Sequence, residues 1–165
     1  MTGVLSDASE VPPLHRSDVS EVPPLYRSLE DEWIDANGHL SEAYYVLVFG
    51  EATEHAMAHV GMAPDYRTET GCSLFTVEAH LRYLDQVLPG ERLEVRTTVI
   101  GVDAKRLLLW HEMAAGGRLR ATAEVLGVHV DIPGGTSCPF PDGVRAAAEA
   151  RLRPVPQAAG RVWRR

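Results

Sequence analysis

The segment Trp33-Ile34-Asp35-Ala36-Asn37-Gly38-His39 sets one carboxylate, an amide, a glycine and an imidazole directly ahead of a long apolar stretch. If that stretch is helical, its first backbone N–H groups have no partner inside the helix and can polarise a carbonyl oxygen. A carboxylate beside them can attack the neighbouring carbon, or take a proton from water that attacks instead. The chemistry of this combination is acyl transfer. In this reading Asp35 reacts, and Asn37 and His39 orient water or the carbonyl. The plainer alternative makes Asp35 a turn or helix-capping acid.

The elements that must position these groups follow from periodicity. Leu25 to Ile34 reads as a strand ending at Asp35. From Leu40 to Val60, Tyr44, Tyr45, Leu47, Val48, Phe49, Ala52, Ala56, Met57 and Val60 recur at helical intervals over most of the circumference. Ser41 is placed as N-cap and Gly61 as the stop, and Gly50 is expected to admit a neighbouring strand. Ser73 to Leu84 alternates Phe75, Val77, Ala79, Leu81 and Tyr83 against Thr76, Glu78, His80 and Arg82. Strands at Arg92–Ile100, Arg106–Met113 and Leu119–Val130 follow, joined by Gly101-Val102-Asp103-Ala104 and Gly116-Gly117. The expected order is one strand, one helix and a four-strand antiparallel meander, then a helix from Asp142 to Leu152. This is an α+β arrangement with one curved sheet around a central helix.

Three parts are expected: an arm over 1–22, a folded domain over 23–133, and a loop, short helix and tail over 134–165. The arm contains a nine-residue segment starting at Ser9 that returns, almost unchanged, at Ser20. Its paired prolines oppose regular pairing, so the arm is read as disordered or loosely draped. The length of 165 residues suits one core. No apolar run reaches the roughly 18–20 residues of a membrane span, and no signal peptide is apparent, so a cytoplasmic setting without a membrane partner is expected. Two cysteines, Cys72 and Cys138, are too few for a disulfide framework. The net charge of −7 argues against nucleic acid as a partner. Residues 1–60 carry −9 and residues 61–165 carry +2. His55 and His59 have the spacing of a metal pair, but no third ligand follows and Ala56 stands where a zinc protease helix has glutamate, so no metal is expected.

Asp35-Ala36-Asn37-Gly38-His39 before Tyr44-Tyr45-Val46-Leu47-Val48-Phe49, then Phe75-Thr76-Val77-Glu78-Ala79-His80-Leu81-Arg82-Tyr83-Leu84, then Pro89-Gly90-Glu91, together resemble the hotdog-fold acyl-CoA thioesterases of the 4-hydroxybenzoyl-CoA thioesterase type. With Trp33-Ile34 and Gly101-Val102-Asp103-Ala104-Lys105-Arg106-Leu107 added, the likeness is to those acting on betainyl-CoA in carnitine breakdown. The resemblance covers residues 25–131. It implies a five-stranded antiparallel hotdog sheet, an acyl-CoA substrate with no cofactor besides the CoA it carries, and a homodimer or dimer-based tetramer with sites between subunits. It also implies that Asp35 is the reacting carboxylate and that the start of the helix, at Ser41–Ala43, supplies the oxyanion donors.

Glu78 and His80 share a strand face and are candidates to reach a thioester in the same or the neighbouring subunit. A quaternary ammonium acyl group calls for aromatic faces and acids, for which Trp33, Tyr45, Phe49, Phe75 and Trp110 are candidates. Arg82, Lys105 and Arg106, with Arg118 and Arg120, are candidates for the CoA phosphates. Two alternatives stand: a non-catalytic acyl-CoA-binding protein, and a hotdog hydratase. The hydratase is disfavoured because its Asp-x4-His motif is replaced here by Asp35-x3-His39.

Overall fold

The structure, a computed structural model, describes residues 21–162. Residues 1–20 of the expected arm therefore lie outside the described residues, while its last residue, Val22, is not loosely draped: it is buried with Ala56, Val60 and Val99. The described elements are β1 (Leu25–Ser28), a 3-10 turn (Asp31–Trp33), α1 (Glu42–His59), α2 (Tyr66–Thr70), β2 (Cys72–Tyr83), β3 (Arg92–Val102), β4 (Arg106–Ala115), β5 (Arg118–Asp131), β6 (Thr136–Ser137) and α3 (Asp142–Glu149). No helix among the described residues is long and apolar enough to cross a membrane.

The sheet is antiparallel in the order β1-β3-β4-β5-β2, with the two-residue β6 also on β5. Its inner face wraps α1. Tyr45, Val48, Phe49 and Ala52 of the helix are buried against Leu93 and Val95 of β3, Met113 of β4, and Ala121, Ala123 and Val125 of β5. Burying Val48 or Phe49 contributes roughly 1.5–3 kcal/mol each. Ala121, Ala123 and Val125 of β5 are small side chains packed in the same cluster as the helix face.

The expected meander is only partly realised. β3, β4 and β5 follow one another, but β2 pairs with the far side of β5 and becomes an edge. The chain must then cross from one edge of the sheet toward the other between Tyr83 and Arg92. It does so beneath the start of α1, where the Leu40 N–H donates to Val87 O at 2.9 Å and Val87 is fully buried. The first strand is also shorter than expected. It ends at Ser28, and the acidic run that follows turns so that Trp33 stacks on Tyr44 at 5.0 Å and accepts the Ser41 N–H.

Two further expectations are corrected. Gly50 is exposed and a Cβ there would meet nothing within 4 Å, so no strand approaches it. The close approach occurs instead at Gly127, where a Cβ would lie 2.6 Å from Leu74 Cγ. Gly101 and Val102 belong to β3, past a bulge after Val99, and the turn begins at Asp103, whose carboxylate accepts the Lys105 and Arg106 N–H groups. The Gly116-Gly117 hairpin is as expected, with φ of 59° and 73°, and Gly61 ends α1 at φ 96°.

An imidazole lies within this core. His111 is fully buried between Thr53 Oγ1, 3.1 Å from Nε2, and Thr97 Oγ1, 2.9 Å from Nδ1. Thr53 already donates to Phe49 O, so it accepts from Nε2–H, and Thr97 donates to Nδ1; both nitrogens of a neutral ring are satisfied. Burial pushes its pKa down from 6.5 to about 3. The unfolded chain takes up this proton below pH 6.5 and the folded chain does not. Stability from this group is therefore complete above 6.5 and falls with pH toward 3, by up to about 1.4 kcal/mol per pH unit. Thermal melts between pH 7 and pH 4 are expected to show this loss, and His111→Gln to flatten it; an equal slope in both proteins contradicts the assignment.

Candidate active site

Asp35 sits in a five-residue loop closed by the Ile34–Leu40 bridge. The Asp35 N–H donates to His39 O at 2.9 Å, and the Gly38 N–H donates back to Asp35 O at 3.0 Å. Gly38 completes this turn at φ 81°, a conformation that side chains resist. Within the loop the Asn37 N–H donates to Asp35 Oδ1 at 2.7 Å and the Asn37 amide to Oδ2 at 3.3 Å, while His39 Nδ1 stands 3.8 Å from Oδ1. Partial desolvation pulls this carboxyl upward, but the backbone and amide donors of Asn37, the His39 ring and the His39 N–H outweigh it. The net effect holds Asp35 below its ordinary 3.8. It is a carboxylate at neutral pH, with 29% of its side chain in contact with solvent.

Two residues after this loop, α1 begins. Ser41 is the N-cap in extended geometry, as expected, yet its side chain makes no capping bond. The Glu42 and Ala43 N–H groups have no partner within the helix by its geometry, and they carry the positive end of its dipole. A cavity of about 580 Å³ lies against this helix start at Ser41 and Glu42, with Ala43 outside its lining; Asp35, His39, Leu40, Tyr45, Tyr83, Leu84, Asp85 and Gln86 complete the wall. That volume suits a small-molecule site. Tyr45 meets Tyr83 edge to face at 5.3 Å, and its hydroxyl donates to Asp85 O at 3.4 Å. Burial, and then the nearby Glu42 carboxylate, push the Tyr83 phenol up. Among the described residues three carboxylates line this space, and no lysine or arginine does.

The far wall is held by Arg120. Its Nη1 donates to Asp85 Oδ2 at 2.7 Å and Gln86 O at 2.8 Å, its Nη2 to Glu91 Oε1 at 2.6 Å, and its Nε to Ala115 O at 3.2 Å. Only 7% of this side chain is exposed. A charge taken out of water stays there only when its donors find acceptors, and four of the five N–H groups have one here.

The chain matches the family described as the thioesterase-like superfamily over residues 29–148. It is 44% identical to a Pseudomonas aeruginosa protein named betainyl-CoA thioesterase, over 79% of this chain and 87% of that one.

This chain belongs to the thioesterase-like superfamily.

An Agrobacterium fabrum protein named L-carnitine dehydrogenase/betainyl-CoA thioesterase is 39% identical over 71% of this chain, which spans 24% of that longer protein. Among solved structures, a putative thioesterase from Pseudomonas putida has a TM-score of 0.71 at 30% identity, over 85% of this chain and 94% of that one. A Staphylococcus aureus protein in complex with CoA has a TM-score of 0.76 at 24% identity, over 84% and 89%, and shows the shared fold.

In this thioesterase-like chain, Asp35, His39, Ser41, Glu42 and Tyr45 meet in the cavity, with Asn37 behind the carboxylate. Trp33 and Phe49 do not line it: both are buried in the core, one stacked on Tyr44 and the other against His111. Trp110 is a correction: it is buried on the opposite face of the sheet with Ile100, Leu108 and Leu126. Phe75 is another. A bulge between Thr76 and Glu78 changes the phase of β2, so Phe75, opposite Val128, faces outward and is 47% exposed. Glu78 and His80 pair with Leu126 and Glu124, whose side chains also point away from α1, so neither reaches the Asp35 cavity of its own chain. Arg82, opposite Thr122, shares that outer face.

The phosphate candidates on the β3–β4 hairpin are corrected too. Lys105 donates to Ser137 Oγ and Arg106 pairs with Asp103, at the end of the sheet remote from Tyr83. Arg118 pairs with Asp85 and Arg120 is buried in its clamp. Sequence reasoning missed Tyr83, Asp85 and Gln86 as cavity residues because the crossover that brings them there depends on β2 lying at the edge. His55 and His59 each lie against a backbone carbonyl, Pro23 O and His55 O.

A carbon NMR titration of the Asp35 carboxyl is expected to give a midpoint below 3.8. Asn37→Ala keeps the backbone donor but removes the amide, and is expected to move that midpoint up. A midpoint at or above 3.8 in the parent protein contradicts this arrangement.

Proposed function

We propose that this thioester hydrolase acts on betainyl-CoA, releasing betaine and free CoA. The observation that carries the reading is that Asp35, the start of α1 and the Tyr45–Tyr83 pair line one cavity. A trimethylammonium group gains about 0.5–2 kcal/mol from an aromatic face. Here it also meets the Glu42 carboxylate, and no lysine or arginine among the described residues lines the space, so a cationic acyl group is favoured over an anionic one. The relative named betainyl-CoA thioesterase supports the same assignment.

The thioester carbonyl oxygen points at the Glu42 and Ala43 N–H groups, which hold the negative charge that develops on it. Two routes then use Asp35. As a base, it takes a proton from water while the water oxygen bonds to the thioester carbon; the C–S bond breaks and the CoA sulfur receives the proton. As a nucleophile, it bonds to that carbon itself, expels the CoA thiolate and forms a mixed anhydride that water then cleaves. Asn37 and His39 hold the carboxylate in line for either route.

We further propose that the working unit is a homodimer, or a tetramer built from dimers. Edge strand β2 leaves Phe75, Val77, Tyr83 and Leu84 exposed, and a second copy beside it covers them. Such a copy stands beside the cavity at Tyr83, and it gives outward-facing Glu78 and His80 a neighbouring subunit to meet. Two free cysteines and a CoA ester as substrate fit a cytoplasmic setting.

The discriminating experiment compares betainyl-CoA with 3,3-dimethylbutanoyl-CoA, which has the same shape and no charge. The cationic substrate is expected to have at least about a tenfold higher kcat/KM, or about 1.4 kcal/mol. Glu42→Gln is expected to narrow that ratio, chiefly through KM. Equal kcat/KM for the two substrates overturns the betainyl assignment.

A further inference from the structure

The sheet gathers three soft-metal ligands at the end remote from Asp35. Cys72 opens β2, His129 lies near the end of β5, and Cys138 follows β6. Cys72 Sγ and Cys138 Sγ are 3.9 Å apart, Cys138 Sγ and His129 Nδ1 are 3.3 Å apart, and all three ligand atoms lie within 4.8 Å of one another. We propose that Cys72, His129 and Cys138 form a binding site for a thiolate-seeking divalent cation, with Zn2+ as the fitting ion.

The spacing supports an ion between these atoms. Zn–S bonds of about 2.3 Å at tetrahedral angles separate two sulfurs by about 3.8 Å, and a sulfur and a nitrogen by about 3.6 Å. The observed separations need only small rotations to reach those values. A direct disulfide fits less well. Val130 pairs with Ser73 on one side and Ser137 on the other, so the two cysteines flank β5 from opposite sides. Their sulfurs are 3.9 Å apart, nearly twice the roughly 2.05 Å of an S–S bond and close to the spacing of two sulfurs on one ion.

The surroundings also suit a ligand histidine. His129 is 1% exposed, packs against Phe140 at 4.9 Å, and has Tyr66 Oη 2.9 Å from Nε2. In the metal-free chain Nδ1–H donates to Cys138 O at 3.1 Å and Tyr66 donates to Nε2; an ion at the sulfurs displaces the Nδ1 proton, and Nε2–H then donates to Tyr66 Oη, the outer partner that ligand histidines use. Two thiolates and one imidazole select Zn2+ over Mg2+ or Ca2+. Both cysteines are half-buried, so solvent takes the fourth position.

The ion's work here is structural. β2 runs eleven residues from Cys72 to Tyr83 at the cavity, about 35 Å along the strand, so the ion takes no part in thioester cleavage. It ties β6, and the chain leading to α3, across β5 to β2. The ligands are separated by 66 and 9 residues in sequence, a spacing that matches no metal motif and is closed only by the sheet.

The test is a Co2+ titration of the reduced, chelator-treated full chain. One Co2+ per chain is expected, with sulfur-to-cobalt charge-transfer absorption and tetrahedral d–d bands that Zn2+ displaces. Cys72→Ser and Cys138→Ser are each expected to weaken binding at least tenfold and to lose charge-transfer intensity. Both are conservative changes at half-buried positions, and circular dichroism checks their fold. A double variant, His55→Gln with His59→Gln, is expected to bind as the parent does. The proposal is overturned if the parent shows no thiolate–cobalt band, if the serine variants bind Co2+ as the parent does, or if binding is lost in the double histidine variant.

Discussion

The Arg120 clamp is the constraint on which the site depends. β2 must lie at the edge of the sheet for β5 to receive it, and the chain must then pass beneath the helix start to reach β3. That passage is irregular backbone in a half-buried place, where unpaired polar groups are costly. One guanidinium answers this by holding Asp85, Gln86 and Glu91 at once. The Val87 carbonyl, held between those residues, takes the Leu40 N–H and so sets where α1 begins. The position of the helix start relative to Asp35 is thus decided by a charge buried some eighty residues further along the chain.

Around this clamp the charges are divided by task. Asp85 and Glu91 compensate Arg120, whereas Asp35 has hydrogen-bond donors but no buried base of its own. A carboxylate in a tight salt bridge has its lone pairs spent. One held by N–H groups of its own loop is ionised, aimed and still able to react. The core supplies rigidity without competing charge. His111 lies neutral between two threonines beneath Phe49, so the helix rests on a satisfied polar pair instead of a titrating one. The two ends of the sheet then differ in character, with oxygen chemistry at the Tyr83 end of β2 and sulfur and imidazole at the Cys72 end.

Most of the domain was legible because its signals are local. The apolar recurrence from Tyr44 to Val60 marks the helix, Gly116-Gly117 marks a hairpin, and Asp35 to His39 has the residues of a tight polar turn. What was not legible depends on pairing across distance. Alternation in β2 says which residues share a face only while the register holds, and the bulge after Thr76 turned Phe75 outward. Trp110 reads as a cavity aromatic from composition alone, but the parity of β4 puts it on the outer face, under Val162 near the C-terminus. Arg120 reads as a surface cation in sequence because nothing local announces that three partners converge on it. Cys72, His129 and Cys138 are silent for the same reason.

The most direct test of the central claim is thiol release from betainyl-CoA by the parent protein and by Asp35→Asn. The substitution keeps the side chain's size and its place in the loop while removing the negative charge. The account predicts a fall in kcat of at least about a hundredfold, on the scale of lost acid–base or nucleophilic catalysis, with melting temperature nearly unchanged. An Asp35→Asn protein that releases CoA within a few-fold of the parent rate would contradict it.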